Sequence, residues 1–252
     1  MRSFLAFFRK ELLASTRRGL LFIILGLFVV FGVMNVTVTY FTPMLLELLE
    51  ESLAESGMTL TGVAADSITC YAQFFKNVSL FHISFVLIYG SIFTNEYRSG
   101  TLILLLTKGL SRTKVLLAKA LVLFTVWTLG YFLGFLVTYA GNAAVGWGND
   151  LPGIPEAIVG YWLFGVLTVA LMVFFSAVFT SYVPVLLGVG GVVTVFTLVS
   201  IAPKIANVLP TALITGAPIF GGEYEAVPFI VTAVLSVALV IAAIPVMKRR
   251  SF

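Results

Sequence analysis

The feature that most constrains this chain is residues 157–203, which hold no charged side chain over about twice the length that one helix needs to cross hydrocarbon. Four further uncharged, apolar runs reach spanning length: 19–46, 77–95, 120–149 and 226–247. Inside the longest run, Thr180-Ser181-Tyr182-Val183-Pro184 supplies a turn, with proline opening the next helix. Five runs therefore predict six spans, placed at 20–41, 74–95, 116–140, 157–180, 184–202 and 226–247. Composition agrees, because 60% hydrophobic against 10% charged residues cannot clothe a soluble globule. No Gly/Ser-rich linker, charge block or repeat divides residues 1–252, so a single domain is expected. The first apolar run is too long for a signal-peptide core and should remain attached. The single cysteine, Cys70, cannot form an intrachain disulfide or a cysteine-rich metal site.

Orientation follows from the basic residues, which are retained on the cytoplasmic side of a membrane. Arg2, Arg9, Lys10, Arg17 and Arg18 precede span 1. Arg98, Lys108, Arg112, Lys114 and Lys119 lie between spans 2 and 3, and Lys248, Arg249 and Arg250 follow span 6. The alternate loops hold Lys76 and Lys204 together with every acid except Glu11 and Glu96. Both termini are thus expected in the cytoplasm, in a plasma-membrane protein. The net charge of +4 describes a basic inner face suited to anionic lipid, not a nucleic-acid groove.

The spans also exclude chemistries. No carboxylate lies in any span core, so a proton- or sodium-coupled carrier lacks the intramembrane acids it needs. His82 reads as a hydrogen-bonded packing residue, with a substrate contact or pH switch as alternatives. One histidine cannot make a two-histidine haem anchor. The phosphate loop G-x-x-x-x-G-K-[S/T] is absent, so the chain is not expected to be an enzyme that hydrolyses ATP, and no residue is assigned as catalytic, cofactor-binding or metal-binding.

The most informative segment is residues 95–119, N-E-Y-R-S-G-T-L-I-L-L-L-T-K-G-L-S-R-T-K-V-L-L-A-K. Glu96, Gly100 and Thr101 mark the end of span 2 and a break. Leu102 to Leu106 form a short apolar stretch, and Ser111 can cap the helix leading into span 3. A short helix lying across the cytoplasmic surface is expected. The pattern Glu-x-x-x-Gly-Thr, then Leu-Leu-x-x-x-Leu-Ser-Arg and a lysine before the third span, resembles the permease subunits of the type-2 ABC exporter family. The resemblance implies that Glu96, Tyr97, Arg98, Gly100, Thr101, Lys108, Leu110, Ser111 and Arg112 belong to a coupling helix seated in a cleft of an ATPase subunit. One departure stands out: Gly109 occupies a place where many members carry proline.

Residues 1–18 alternate Phe4, Leu5, Phe7, Phe8, Leu12 and Leu13 with Arg9, Lys10, Glu11, Arg17 and Arg18, an amphipathic helix expected in the interface plane. The resemblance implies that it also packs beside the ATPase. Residues 43–66 interleave leucines with Glu47, Glu50, Glu51 and Glu55 and predict an acidic outer helix over the mouth. Residues 202–225 are broken by Pro203, Pro210, Gly216, Pro218, Gly221 and Gly222 into short pieces. In the family, this region forms re-entrant elements at an outer gate. Gly130 and Gly134 predict close packing within the chain, and Gly188, Gly190 and Gly191 could place span 5 at a dimer seam.

The sequence thus predicts an all-α integral membrane permease with six transmembrane helices, an interfacial N-terminal helix, a cytoplasmic coupling helix between spans 2 and 3, and short outer helices before span 6. The implied function is the membrane half of an ATP-driven exporter. Its partners would be a second copy or related permease, two copies of a soluble ATPase that bind ATP and Mg, and membrane lipid, with no nucleic acid. A non-transporting anchor or signal transmitter, or a stand-alone channel, are the alternatives.

Overall fold

The computed structural model describes residues 2–54, 64–98, 100–107, 109–215 and 225–249, whose regular structure is helical with no strand among them. In chain order the helices are α1 (Arg2–Arg17), α2 (Leu20–Ala54), α3 (Ser67–Tyr89), α4 (Thr94–Arg98), α5 (Thr101–Thr107), α6 (Arg112–Val145), α7 (Ile154–Val178), α8 (Tyr182–Val199) and α9 (Pro203–Ala206). A 3₁₀ turn at Pro210–Ile214 and α10 (Ala226–Arg249) complete the fold. Six of them, α2, α3, α6, α7, α8 and α10, are long and apolar enough to cross a membrane.

α3, α6 and α7 begin before their apolar runs because a helix does not stop at the first charge. Asp66 starts α3 by accepting a 2.8 Å hydrogen bond from the Thr69 amide, and Ser111 caps α6 through the Lys114 amide at 3.3 Å. α2 continues through Pro43 to Ala54. The acidic stretch expected as a separate helix is therefore an extension of the first span as far as residue 54, and residues 55–63 lie outside the described residues. Its Leu45, Leu48 and Leu49 are exposed, so it does not pack over this chain.

α7 is the most enclosed span, packing against α10, α6, α8, α3 and the 3₁₀ turn, whereas α8 buries only Val185 and Val189 among its described residues. Large apolar residues such as Phe22, Leu136, Leu187 and Val234 point outward. Lipid tails solvate such a surface as readily as leucine would. Close approach inside the chain is made by glycine. A Cβ on Gly32 would lie 2.8 Å from the Gly134 carbonyl, and one on Gly130 2.7 Å from the Phe28 ring, so α2 and α6 meet backbone to backbone. Gly188 likewise faces the Phe175 ring, while Gly190 and Gly191 meet nothing within 4 Å.

At the centre, Trp127 of α6 packs among Phe28, Phe85 and Tyr131. Its Nε1–H must find an acceptor in a dry interior, and it donates to the Trp162 carbonyl at 3.1 Å. Gly165, one helical turn beyond Trp162, makes that contact possible, because any side chain there would overlap the indole. A second polar island joins α2, α3 and α6. Asn77 donates to Asn35 at 2.6 Å and Asn35 to Thr138 at 3.2 Å, all three buried, so the asparagines of the sequence's two Asn-x-Ser/Thr tripeptides are turned inward.

Candidate functional site: the α4–α5 loop and its ionic anchor

The end of the bundle that carries the N-terminal helix also carries the start of α6 and the end of α10. Arg112 Nη1 donates to the Lys248 carbonyl at 3.1 Å, and Lys114 reaches Ser3 at 3.5 Å. The loop between the second and third spans is therefore framed by α1, α6 and α10. It consists of α4, a break at Gly100, the seven-residue α5 and a second break at Gly109. Gly100 has φ +66° and Gly109 φ +84°, left-handed values that glycine adopts without Cβ strain. Proline is locked near φ −65° and lacks the N–H that Gly109 donates to the Leu106 carbonyl at 3.0 Å. This turn therefore has a shape that glycine can make and proline cannot.

The root of the loop is fixed by an ion cluster. Lys119, two turns into α6, is 1% exposed and places its ammonium 2.7 Å from Glu11 Oε2, 3.2 Å from Glu96 Oε2 and 2.9 Å from the Ile92 carbonyl. The ammonium donates hydrogen bonds to Glu11 and to the Ile92 carbonyl, and Glu96 stands beside it as an ion pair. Lys10 closes the cluster from outside, 2.6 Å from Glu11 Oε1 and 3.3 Å from Glu96 Oε1, with half its side chain in solvent. Burial works against the charged forms of Glu11 and Lys10. For Glu11, the Lys119 charge and the hydrogen bonds from Lys10 and Lys119 outweigh it and hold the carboxyl below its ordinary range. For Lys10, the Glu11 hydrogen bond and the charges of Glu11 and Glu96 push its affinity for the proton up.

This arrangement corrects the reading of α1. Glu11 does not share the exposed face with Arg9, Arg17 and Arg18. It lies on the buried line Phe7–Glu11–Ser15 that packs on α6, and Ser15 meets the Tyr89 hydroxyl there. Lys119, read from the sequence as a loop-end cation, is internal. A cavity of about 410 Å³ adjoins the cluster, bounded by Arg18, Ser15, Ser91, Asn95 and Thr101.

The other residues singled out in the sequence divide by position. The Tyr97 hydroxyl donates to the Ser176 carbonyl at 3.0 Å and touches Met247 Sδ at 3.5 Å, tying α4 to α7 and α10. Leu102 is buried, and Leu106 and Leu110 pack on the core, whereas Ile103 is exposed. The Arg98 side chain and Lys108 lie outside the described residues. Glu11, Lys119 and Ser176 were not among the candidate residues. The one signal in the sequence was that Glu11 and Glu96 are the only acids on the basic side.

No curated protein and no solved structure matches the chain. A family model described as ABC-2 family transporter protein matches residues 5–219, from α1 through five of the six spans and the 3₁₀ turn. With six apolar helices and a framed loop between the second and third, a match over most of the sequence places this membrane protein in the ABC-2 transporter family.

Proposed function

We propose that the chain is the membrane-spanning subunit of an ATP-driven exporter, working as a pair of such subunits with two copies of a separate ATPase that bind ATP and Mg. In this reading the basic end faces the cytoplasm of a plasma-membrane protein, α5 and its flanking glycines meet the ATPase, and α1 lies in the interface beside it. Family membership supports the transporter role. The observation that carries the coupling is the anchoring of α4: Glu96 holds Lys119 of α6 and Lys10 of α1, while Tyr97 holds α7 beside α10. A displacement of the loop is thereby delivered to three spans and the interfacial helix together, without a flexible joint between Glu96 and the bundle.

Within this mechanism the chain's own residues do no bond chemistry. Gly100 and Gly109 let α5 change its tilt, Glu96 and Tyr97 transmit that tilt, and the spans respond as packed bodies. The pieces between α8 and α10, buried through Pro210, Thr211 and Leu213, would form the outer closure. The test is copurification of the chain with its ATPase, followed by ATPase assays in vesicles. Tyr97→Phe should retain the partner but lose most stimulation by transported molecules. Full stimulation in that variant, together with transport that stops when the proton gradient alone is collapsed, would reject the reading.

A further inference from the structure

A cavity of about 390 Å³ opens between α3, α7, α8 and the 3₁₀ turn, separate from the ionic anchor. Its lining is apolar, from Val86, Phe164, Val189 and Ile214 among others, with no Asp, Glu, Lys or Arg. His82 stands in this wall. Its Nδ1 lies 2.8 Å from the Val78 carbonyl, and because a carbonyl only accepts, Nδ1 carries the proton and Nε2 a lone pair. Nε2 is buried, with no hydrogen-bond partner among the described residues. The ring cannot swing to find one, since Trp127 lies against it at 4.5 Å and Phe164 closes its edge at 5.3 Å. Two hydroxyls of the wall are engaged, Tyr161 donating to the Ile214 carbonyl at 2.8 Å and Thr168 to the Phe164 carbonyl at 3.1 Å, and Ser79 and Thr194 also line it.

We infer that this cavity is a binding site for an uncharged amphiphile that donates one hydroxyl or N–H to His82 Nε2 and buries an apolar body against α7 and α8. A fixed, buried acceptor leaves free energy unrealised until a donor arrives, and a donor leaving water or headgroups gains most in a dry pocket. A charged ligand is excluded, because no opposite charge lines the cavity to offset its desolvation. The size lies at the low end for ligand pockets, which fits a medium-chain alcohol or compact drug-like molecule rather than a whole phospholipid. Arrival is from the bilayer: Ile83 and Leu87 of the lining are 56% and 52% exposed on the apolar surface. The hydrogen bond from Tyr161 to Ile214 fastens the 3₁₀ turn across the cavity and thus opposes release toward the far end. This names a substrate class for the permease proposed above and rests on that reading for the transport step alone.

The experiment uses the full chain in lipid nanodiscs with two probes, a dodecanol carrying a diazirine in its chain and the methyl ether of the same molecule. After photolysis, labelled peptides are mapped by mass spectrometry. The alcohol should label the segments around His82 and Gly190, with the ether about tenfold weaker, a ratio that one hydrogen bond of about 1.4 kcal/mol accounts for. His82→Phe should bring the alcohol down to the level of the ether. Gly190→Leu is the independent variant, because a Cβ there meets nothing within 4 Å and the side chain fills the cavity without disturbing the helix. It should remove labelling by both probes. Equal labelling by alcohol and ether, or labelling that survives Gly190→Leu, overturns the inference. Neither partner nor ATP is needed, so that result would leave the exporter reading standing.

Discussion

The Lys119 ammonium lies 2.7 Å from the Glu11 carboxylate, joining the N-terminal helix to α6 across 108 residues of sequence. Glu96, at the root of the α4–α5 loop, is the second carboxylate on the same ammonium. Three segments that could move separately are held at one buried point.

Removing that point should be costly, since a buried charge stripped of its partner keeps its desolvation penalty. Lys119→Met is expected to destabilise the chain by about 3–5 kcal/mol. Adding Glu11→Gln should recover part of the loss by removing one stranded charge. Thermal unfolding in detergent checks both, and a double variant no more stable than the single one would show that packing, not charge, dominates.

The same cluster fixes a pH dependence. Glu11 titrates below its ordinary value of 4.5 when folded, so its contribution is complete above that pH and is lost as pH falls through the lowered value. Lys10 is shifted above 10.5, so its contribution persists below that pH and disappears only as pH rises beyond it. Stability from the cluster should be flat from about pH 5 to 10 and fall on acidification. Melting curves against pH should show the acid limb diminished in Glu11→Gln.

At the centre of the bundle, Gly165→Val would drive a branched side chain into the Trp127 indole, which is itself held by the Trp162 carbonyl. Overpacking of this kind costs about 1–3 kcal/mol or more. Gly191→Ala, where a Cβ meets nothing within 4 Å, should be neutral or slightly stabilising. Comparing the two melting temperatures separates a steric requirement from a general need for glycine.

In the loop, Gly109→Pro removes the N–H bonded to Leu106 and forbids φ +84°. Gly100→Val places a β-branched residue at φ +66°. Both variants should insert and fold, with stability changed by about 1–3 kcal/mol, yet show reduced ATPase copurification or stimulation. Glu47→Gln, at the opposite end, should leave both unchanged.

Orientation can be checked directly. Reporters fused after Arg250 or near Arg112 should appear cytoplasmic, and those near Glu51 and Asp150 outside. A cytoplasmic reporter near Glu51 would contradict the charge-based orientation.

The sequence by itself determined the six apolar helices, a break within residues 180–184 that the structure confines to Thr180 and Ser181 before α8 starts at Tyr182, the Ser111 cap and the place of the loop between spans 2 and 3. Each of these depends on local composition: an apolar run long enough for the membrane, a proline, a hydroxyl before a helix. The charge distribution even isolated Glu11 and Glu96 as the two acids on the basic side. It could not bring them together on Lys119, nor set Gly165 beneath Trp127, nor leave the buried Nε2 of His82 without a hydrogen-bond partner among the described residues. The physical reason lies in the solvent. A span in lipid is apolar on every face, so its sequence carries no periodic mark of which face turns inward. Which residues meet is decided when glycines allow two backbones to approach and the few buried polar groups find partners, and both depend on neighbours a hundred residues away.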